Sequence, residues 1–288
     1  CFPFSPILPM TSSLSLAPTL SLAPGVDIPL LGLGTWPMND EEAAAAVAEA
    51  LRLGYRHVDT AENYGNERGV GEGLRRSGVA REAVFITTKF NRQWHSVDGA
   101  RQACEASLAR LGVAYIDLLL VHWPNPDQDR FVEAFQGLVK LREAGLVRAI
   151  GTSNFKPAHL ERLFELGLLP QLNQIQLDPY HRRDDLLAIH RRKGIVTGAW
   201  RPLGCGNAML ADPVIAGIAE AHGRTSAQVV LRWIVQQGIV ATPKSANPER
   251  LAQNLDIFSF SLSEAEMAAL DTLDRPDPTM LDADSFGH

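Results

Sequence analysis

Eight times along this chain a short apolar run gives way to a polar loop and then to an amphipathic helical pattern, and that alternation restricts the fold more than any other property. Residues 30–36, 57–59, 84–89, 116–121, 149–151, 172–176, 196–199 and 239–241 read as strands. Helical spacing of apolar residues follows them at 40–53, 66–76, 97–111, 130–143, 157–165, 184–193, 212–221 with 226–237, and 248–255. A last helix at 263–273 opens on Ser263-Glu264-Ala265-Glu266, the spacing of a capping box. Asn39 or Asp40 suits the N-cap of the first helix, Gly54 its end, and Asn66 the N-cap of the second. Open doubly wound sheets usually hold fewer strands, whereas eight parallel strands close into a (β/α)8 TIM barrel of about 250 residues. Closure also removes exposed edges. Residues 20–22 and 26–28 alternate around Ala23-Pro24-Gly25, so a β-hairpin is expected ahead of the barrel.

A chain of 288 residues with 45% hydrophobic content can bury a core of that size. No internal repeat or interdomain linker divides it, so residues 19–288 are expected to form a single barrel behind a disordered extension, 1–18, in which Met10 suits a natural start. The net charge of −6 is spread over 27 basic and 33 acidic residues, without a basic stripe, which argues against a nucleic-acid partner. No run approaches membrane-spanning length, and the first 24 residues lack the Lys or Arg of a secretory n-region. Cys1, Cys104 and Cys205 are odd in number and contain no CxxC, the pattern of unpaired thiols in a reducing, cytoplasmic setting. No His, Cys or Asp cluster has metal-ligand spacing, so no metal is expected.

In such a barrel the active site forms at the C-terminal ends of the strands. Asp59 ends the second strand and Tyr64 sits in its loop; Lys89 ends the third, and His122 follows the fourth. Any one of these alone is more often a cap or a surface group than a catalyst. Four complementary ionisable groups at successive strand ends are harder to explain as stability, because clustering them in a cleft carries a desolvation cost. A phenol titrates near pH ~10 unaided. An ammonium within reach lowers that value, and a carboxylate keeps the ammonium charged and oriented. Tyr64 is therefore expected to be an acid, Lys89 its tuner, Asp59 the anchor of Lys89, and His122 the group that orients and polarises a carbonyl.

Proton delivery to a carbonyl also needs a hydride source. Gly32-Leu33-Gly34 and Gly69-Val70-Gly71-Glu72-Gly73 both lack a third glycine at the place a Rossmann fingerprint requires, and no Walker loop is present. Thr242-Pro243-Lys244-Ser245, after the eighth strand, leads into a helix carrying Arg250, a position suited to a phosphate monoester. A surface basic cluster at a helix start is the plain alternative.

These residues resemble the aldo-keto reductase family over nearly the whole chain. The matching segments are residues 54–67, Lys89, Val121-His122-Trp123-Pro124, Gly151-Thr152-Ser153-Asn154-Phe155, Asn173-Gln174, Pro202-Leu203-Gly204, and Pro243-Lys244-Ser245 with Asn247-Pro248-Glu249-Arg250. The short tail is most similar to the compact bacterial branch typified by 2,5-diketogluconate reductase. The resemblance implies a barrel binding NADP(H) in extended form, with Asp59, Tyr64, Lys89 and His122 as its tetrad. It also implies Ser153, Asn154 and Gln174 on the nicotinamide carboxamide, Lys244, Ser245 and Arg250 on the adenosine 2′-phosphate, Asn254 at the adenine, and Trp36, Trp94 and Trp123 as substrate-pocket walls. Core packing is the alternative for Trp36. Where the family usually has a stacking Tyr followed by Ser, this chain has Trp200 and Arg201 before Pro202 and Leu203, and Gln253 replaces a Glu at the adenine edge. Indole can stack as phenol does; Arg201 places a charge beside the expected pyrophosphate.

The reading that follows is an NADPH-dependent enzyme, with NADH a poorer donor, reducing small aldehydes, ketones or keto sugars as a monomer. A non-catalytic NADP(H)-binding barrel with a redox-sensing or structural role is the alternative, against which the intact tetrad argues. A Schiff-base role for Lys89 would leave Tyr64 and the phosphate clamp without a purpose.

Overall fold

The computed structural model describes residues 17–288 apart from Asn207 and Thr279, so the expected disorder of 1–18 falls, up to residue 16, outside the described residues. Strands β1 (Thr19–Ala23) and β2 (Val26–Pro29) form the expected antiparallel hairpin, with Leu20 opposite Ile28. The main sheet runs through β3 (Leu33–Gly34), β4 (His57–Asp59), β5 (Phe85–Phe90), β6 (Ile116–Val121), β7 (Val147–Ser153), β8 (Leu172–Gln176), β9 (Val196–Trp200) and β10 (Val240–Ala241), each parallel to its sequence neighbour. Around it lie α1 (Asp40–Leu53), α2 (Glu67–Ser77), α3 (Val97–Leu111), α4 (Phe131–Glu143), α5 (Pro157–Phe164), α6 (Asp184–Lys193), α7 (Pro213–His222), α8 (Ser226–Gln236), α9 (Pro248–Leu255) and α10 (Glu264–Asp271).

The sheet closes where the first and last strands meet. Ala241 N donates to Leu30 O at 2.8 Å, Gly32 N to Ala241 O at 2.9 Å and Gly34 N to Pro243 O at 3.1 Å. The first strand is shorter than its apolar run suggests; just past it Thr35 gives both its N–H and its hydroxyl to Asp59 O, each at 3.1 Å. Every residue of β6 is buried, as expected of a strand with side chains in the barrel on one side and helices on the other. Its one charge, Asp117, is met by Arg81 at 2.6 Å, Arg148 at 2.8 Å and the N–H of Ile86 at 2.9 Å.

One local expectation changes. Asn66 occupies the N-cap position of α2 without a side-chain cap bond. Its buried amide instead accepts from Thr60 Oγ1 at 2.8 Å and donates to Met38 O at 2.8 Å and Thr35 O at 3.1 Å, tying the loops after β3 and β4 together. The glycines of 69–73 also have a purpose unrelated to phosphate. A Cβ on Gly69 would lie 2.1 Å from Asp40 O and one on Gly71 would lie 2.0 Å from Leu111 O, so α2 rests directly on the backbones of α1 and α3. His57 and Arg56 are structural: His57 is buried and bonded to Thr87 Oγ1 at 3.0 Å, and Arg56 donates to Leu51 O at 2.9 Å. Among the described residues no helix is long and apolar enough to cross a membrane.

The Gly71 contact is testable. Gly71→Ala is expected to destabilise the fold by about 1–3 kcal/mol through overpacking, although alanine is the better helix former by about 1 kcal/mol. Urea unfolding measures this, and an unchanged midpoint would show that α3 yields freely.

Candidate active site

Parallel pairing sets Asp59 opposite Thr87, so Lys89, two residues further along β5, projects to the same face as Thr87. Its Nζ donates to Asp59 Oδ1 at 2.7 Å and to Thr60 O at 2.9 Å. The second carboxylate oxygen accepts from Gln174 Nε2 at 2.7 Å. Lys89 is 1% and Asp59 4% exposed, so this is an ion pair taken out of water. Burial alone would lower the lysine pKa, but Asp59 and Tyr64 together outweigh it and the net direction is upward, keeping the ammonium charged.

Tyr64 closes a short 3-10 turn, Glu62–Tyr64, in the loop after β4. The Lys89 Nζ lies 5.3 Å from its ring centre. Burial raises the phenol pKa and Lys89 pulls it back, the net direction being upward. Lowering by the lysine, the effect anticipated from sequence, is therefore real but is outweighed by desolvation. Tyr64 stays a protonated donor across the neutral range.

His122 directly follows β6, its ring 6.0 Å from that of Tyr64. Burial, then the charge of Lys89, then His288 hold its pKa well below the ordinary imidazole value, so the ring is neutral. Its Nδ1 lies 3.4 Å from Asn91 Oδ1, a long contact that leaves the ring able to carry its proton on Nε2.

Asp59, Tyr64 and His122 line a cavity of about 830 Å³. Ser153, Asn154, Gln174, Trp200, Arg201, Leu203 and Lys244 line it too, as do Trp36 and Trp123, so most of the residues singled out from sequence meet there. The Trp200 indole donates to Asn154 Oδ1 at 2.8 Å, and Asn154 Nδ2 donates to Ser153 Oγ and His122 O, each at 3.1 Å. The Arg201 guanidinium stacks between Trp36 and Trp200, 5.6 and 5.5 Å from their ring centres. Trp123 carries a buried indole N–H without an acceptor among the described residues.

Other expected residues stand further off. Trp94 is absent from the lining, because its indole N–H is held by Glu62 Oε1 at 2.8 Å. Arg250, Gln253 and Asn254 lie on α9, where Asn254 is buried against the Tyr55 hydroxyl. Ser245 is also buried, its hydroxyl accepting from Asn247 N at 3.2 Å at the start of α9. The cavity has walls that residue types alone did not single out: Leu281, Phe286 and His288, from the tail.

The sequence pattern of the aldo/keto reductase family matches residues 30–275. The chain belongs to that family. An aldo-keto reductase of Mycolicibacterium smegmatis is 46% identical over 269 residues, covering 91% of this chain and 98% of that one. Methylglyoxal reductase DkgA of Yersinia pestis is 40% identical over 279 residues, covering 94% of this chain and 100% of its own length. A solved structure of a Gox0644 variant in complex with NADPH superposes with a TM-score of 0.89 at 42% identity, covering 94% of this chain and 99% of that one. The (β/α)8 barrel and the kinship with DkgA-type bacterial members agree with what the motifs imply.

In this aldo/keto reductase the buried ion pair is a structural element. Lys89→Met leaves Asp59 buried without its cation and is expected to cost about 3–5 kcal/mol. The double variant with Asp59→Asn should regain part of that loss. Urea unfolding of the set measures both, and a fully stable Lys89→Met protein would contradict the burial argument.

Proposed function

We propose that this aldo/keto reductase uses NADPH to reduce small aldehydes, ketones or keto sugars to alcohols. The observation that carries the reading is the buried Asp59–Lys89 pair beside two groups held neutral, Tyr64 and His122, at the edge of one cavity.

The residues present fit a phosphorylated dinucleotide. Lys244 and Arg250 flank the N-terminus of α9 with no carboxylate within ion-pair distance among the described residues, an unneutralised charge that suits a phosphate monoester. Ser153, Asn154 and Gln174 converge as amide and hydroxyl partners for a carboxamide, and Trp200 offers an aromatic face. Arg201, Leu203, Ser245, Gln253 and Asn254 complete the proposed contacts. NADPH, when bound, supplies the reducing equivalents.

The chain's own groups do the rest. Neutral His122 donates a ring N–H to the carbonyl oxygen and orients it. Tyr64 delivers its proton to that oxygen as negative charge develops there. Lys89 stabilises the phenolate left behind, and Asp59 holds Lys89 in place. Trp36 and Trp123 wall the substrate side; Trp94 supports it only indirectly, through Glu62.

Removing the acid tests the reading. Tyr64→Phe is expected to lower aldehyde-dependent NADPH consumption by about 10²–10⁴-fold, while fluorescence titration still shows NADPH binding. Turnover at the unaltered rate would remove Tyr64 from the mechanism. The phosphate assignment is separate: Arg250→Ala should raise KM for NADPH by roughly tenfold, as befits a charge-assisted hydrogen bond, and leave that for NADH in place. An equal effect on both nucleotides would refute it.

A further inference from the structure

The turn that carries Tyr64 is shaped by local backbone bonds: Tyr64 N donates to Ala61 O at 3.1 Å and Gly65 N to Glu62 O at 3.2 Å. Bonds of this kind form a single 3-10 turn but leave its angle to the sheet open. The Glu62 side chain carries the bonds from this turn to the neighbouring loop. Its Oε1 accepts from the Trp94 indole N–H at 2.8 Å and from Gln93 Nε2 at 3.4 Å, and its Oε2 accepts from Asn91 N at 3.3 Å. All three donors belong to the loop that leaves β5 just beyond Lys89. The indole bond is the short one of the three.

That loop also reaches the other side of the site. Asn91 is buried, with its Oδ1 3.4 Å from His122 Nδ1, and His122 N donates to Phe90 O at 3.1 Å. One carboxylate therefore links the turn bearing Tyr64 to the loop packed against His122, whose ring lies 6.0 Å from that of Tyr64. Glu62 and Trp94 both stand outside the cavity lining, whereas Asn63 and Tyr64, on the same turn as Glu62, line it.

We propose that Glu62 is a positioning residue that acts through Tyr64: anchored by Trp94, it sets where the phenol stands relative to Lys89 and His122. The inference rests on the carbonyl-reductase reading above, in which Tyr64 delivers the proton. Proton transfer requires hydrogen-bond reach, about 2.6–3.2 Å, and a displacement of about 1 Å is enough to lower a rate about 10²-fold. Because Glu62 lies outside the cavity lining, its loss falls on kcat and not on cofactor affinity.

The test measures kcat and KM for propanal at saturating NADPH, together with the NADPH Kd by fluorescence titration. Glu62→Ala should lower kcat by roughly ten- to a hundredfold and leave the NADPH Kd in place. Glu62→Gln, which keeps an oxygen for the indole N–H, should recover most of that loss. Trp94→Phe removes the same bond from the other side and should also lower kcat. Combined with Glu62→Ala it should add little, because both substitutions break one link. An unaltered kcat in Glu62→Ala would overturn the proposal. So would a loss that Glu62→Gln fails to recover, or one matched in the NADPH Kd, since either would make Glu62 a general support of the fold. If Glu62→Ala does not fold, Trp94→Phe decides, and an unaltered kcat in that variant overturns the proposal. Absence of aldehyde-dependent NADPH consumption by the unaltered protein would overturn the reductase reading itself, and this inference with it.

Discussion

A lysine with 1% of its surface exposed cannot hold its charge without a partner, and the barrel supplies one at 2.7 Å in Asp59. Much of the site depends on that pair. It needs β4 and β5 in one register, the Thr60 carbonyl turned inward, and Gln174 reaching across from β8 to satisfy the second carboxylate oxygen. Asp59 and Lys89 come from adjacent strands and Gln174 from β8, so the full set of partners assembles only when all three strands are in place. Desolvation, which makes an unpaired buried charge so costly, here couples the fold to the chemistry.

The same low-dielectric pocket sets the states of the neighbours. Burial lifts the Tyr64 phenol and lowers His122, so both remain neutral around an ammonium that stays charged. A neutral phenol and a neutral imidazole can both donate to a carbonyl oxygen, and the ammonium is placed to stabilise the phenolate once the proton has left. In the proposed mechanism three groups divide the labour because their environments push their titrations apart.

Much of the architecture is readable in the sequence because periodicity reports burial, and burial in a closed barrel repeats with each strand. Asp40–Leu53, Val97–Leu111 and Asp184–Lys193 are helices at the expected residues. Residues whose partners come from distant parts of the chain are harder to read. Asn66 has the composition of a cap, yet its amide is claimed by Thr35, Met38 and Thr60. Glycines 69, 71 and 73 have partial phosphate-motif spacing, but their purpose lies in the backbones of α1 and α3. Trp94 is aromatic and close in sequence to Lys89, but Glu62 holds it outside the cavity lining. His288 meets Asn125 across 163 positions, a separation at which no local pattern carries information.

The central claim is that the site works from a protonated Tyr64 beside a neutral His122, and the pH dependence of NADPH-driven aldehyde reduction addresses it most directly. Because the phenol pKa is raised, its donor form is fully present at neutrality and is lost only as pH rises past the ordinary phenol value of about 10. Because the His122 pKa is lowered, no loss of activity should appear as pH falls through the ordinary histidine value of about 6.5. The predicted profile is level through neutrality, with a single alkaline decline. A profile that rises through about pH 6.5, or that increases toward alkaline pH, would contradict the account.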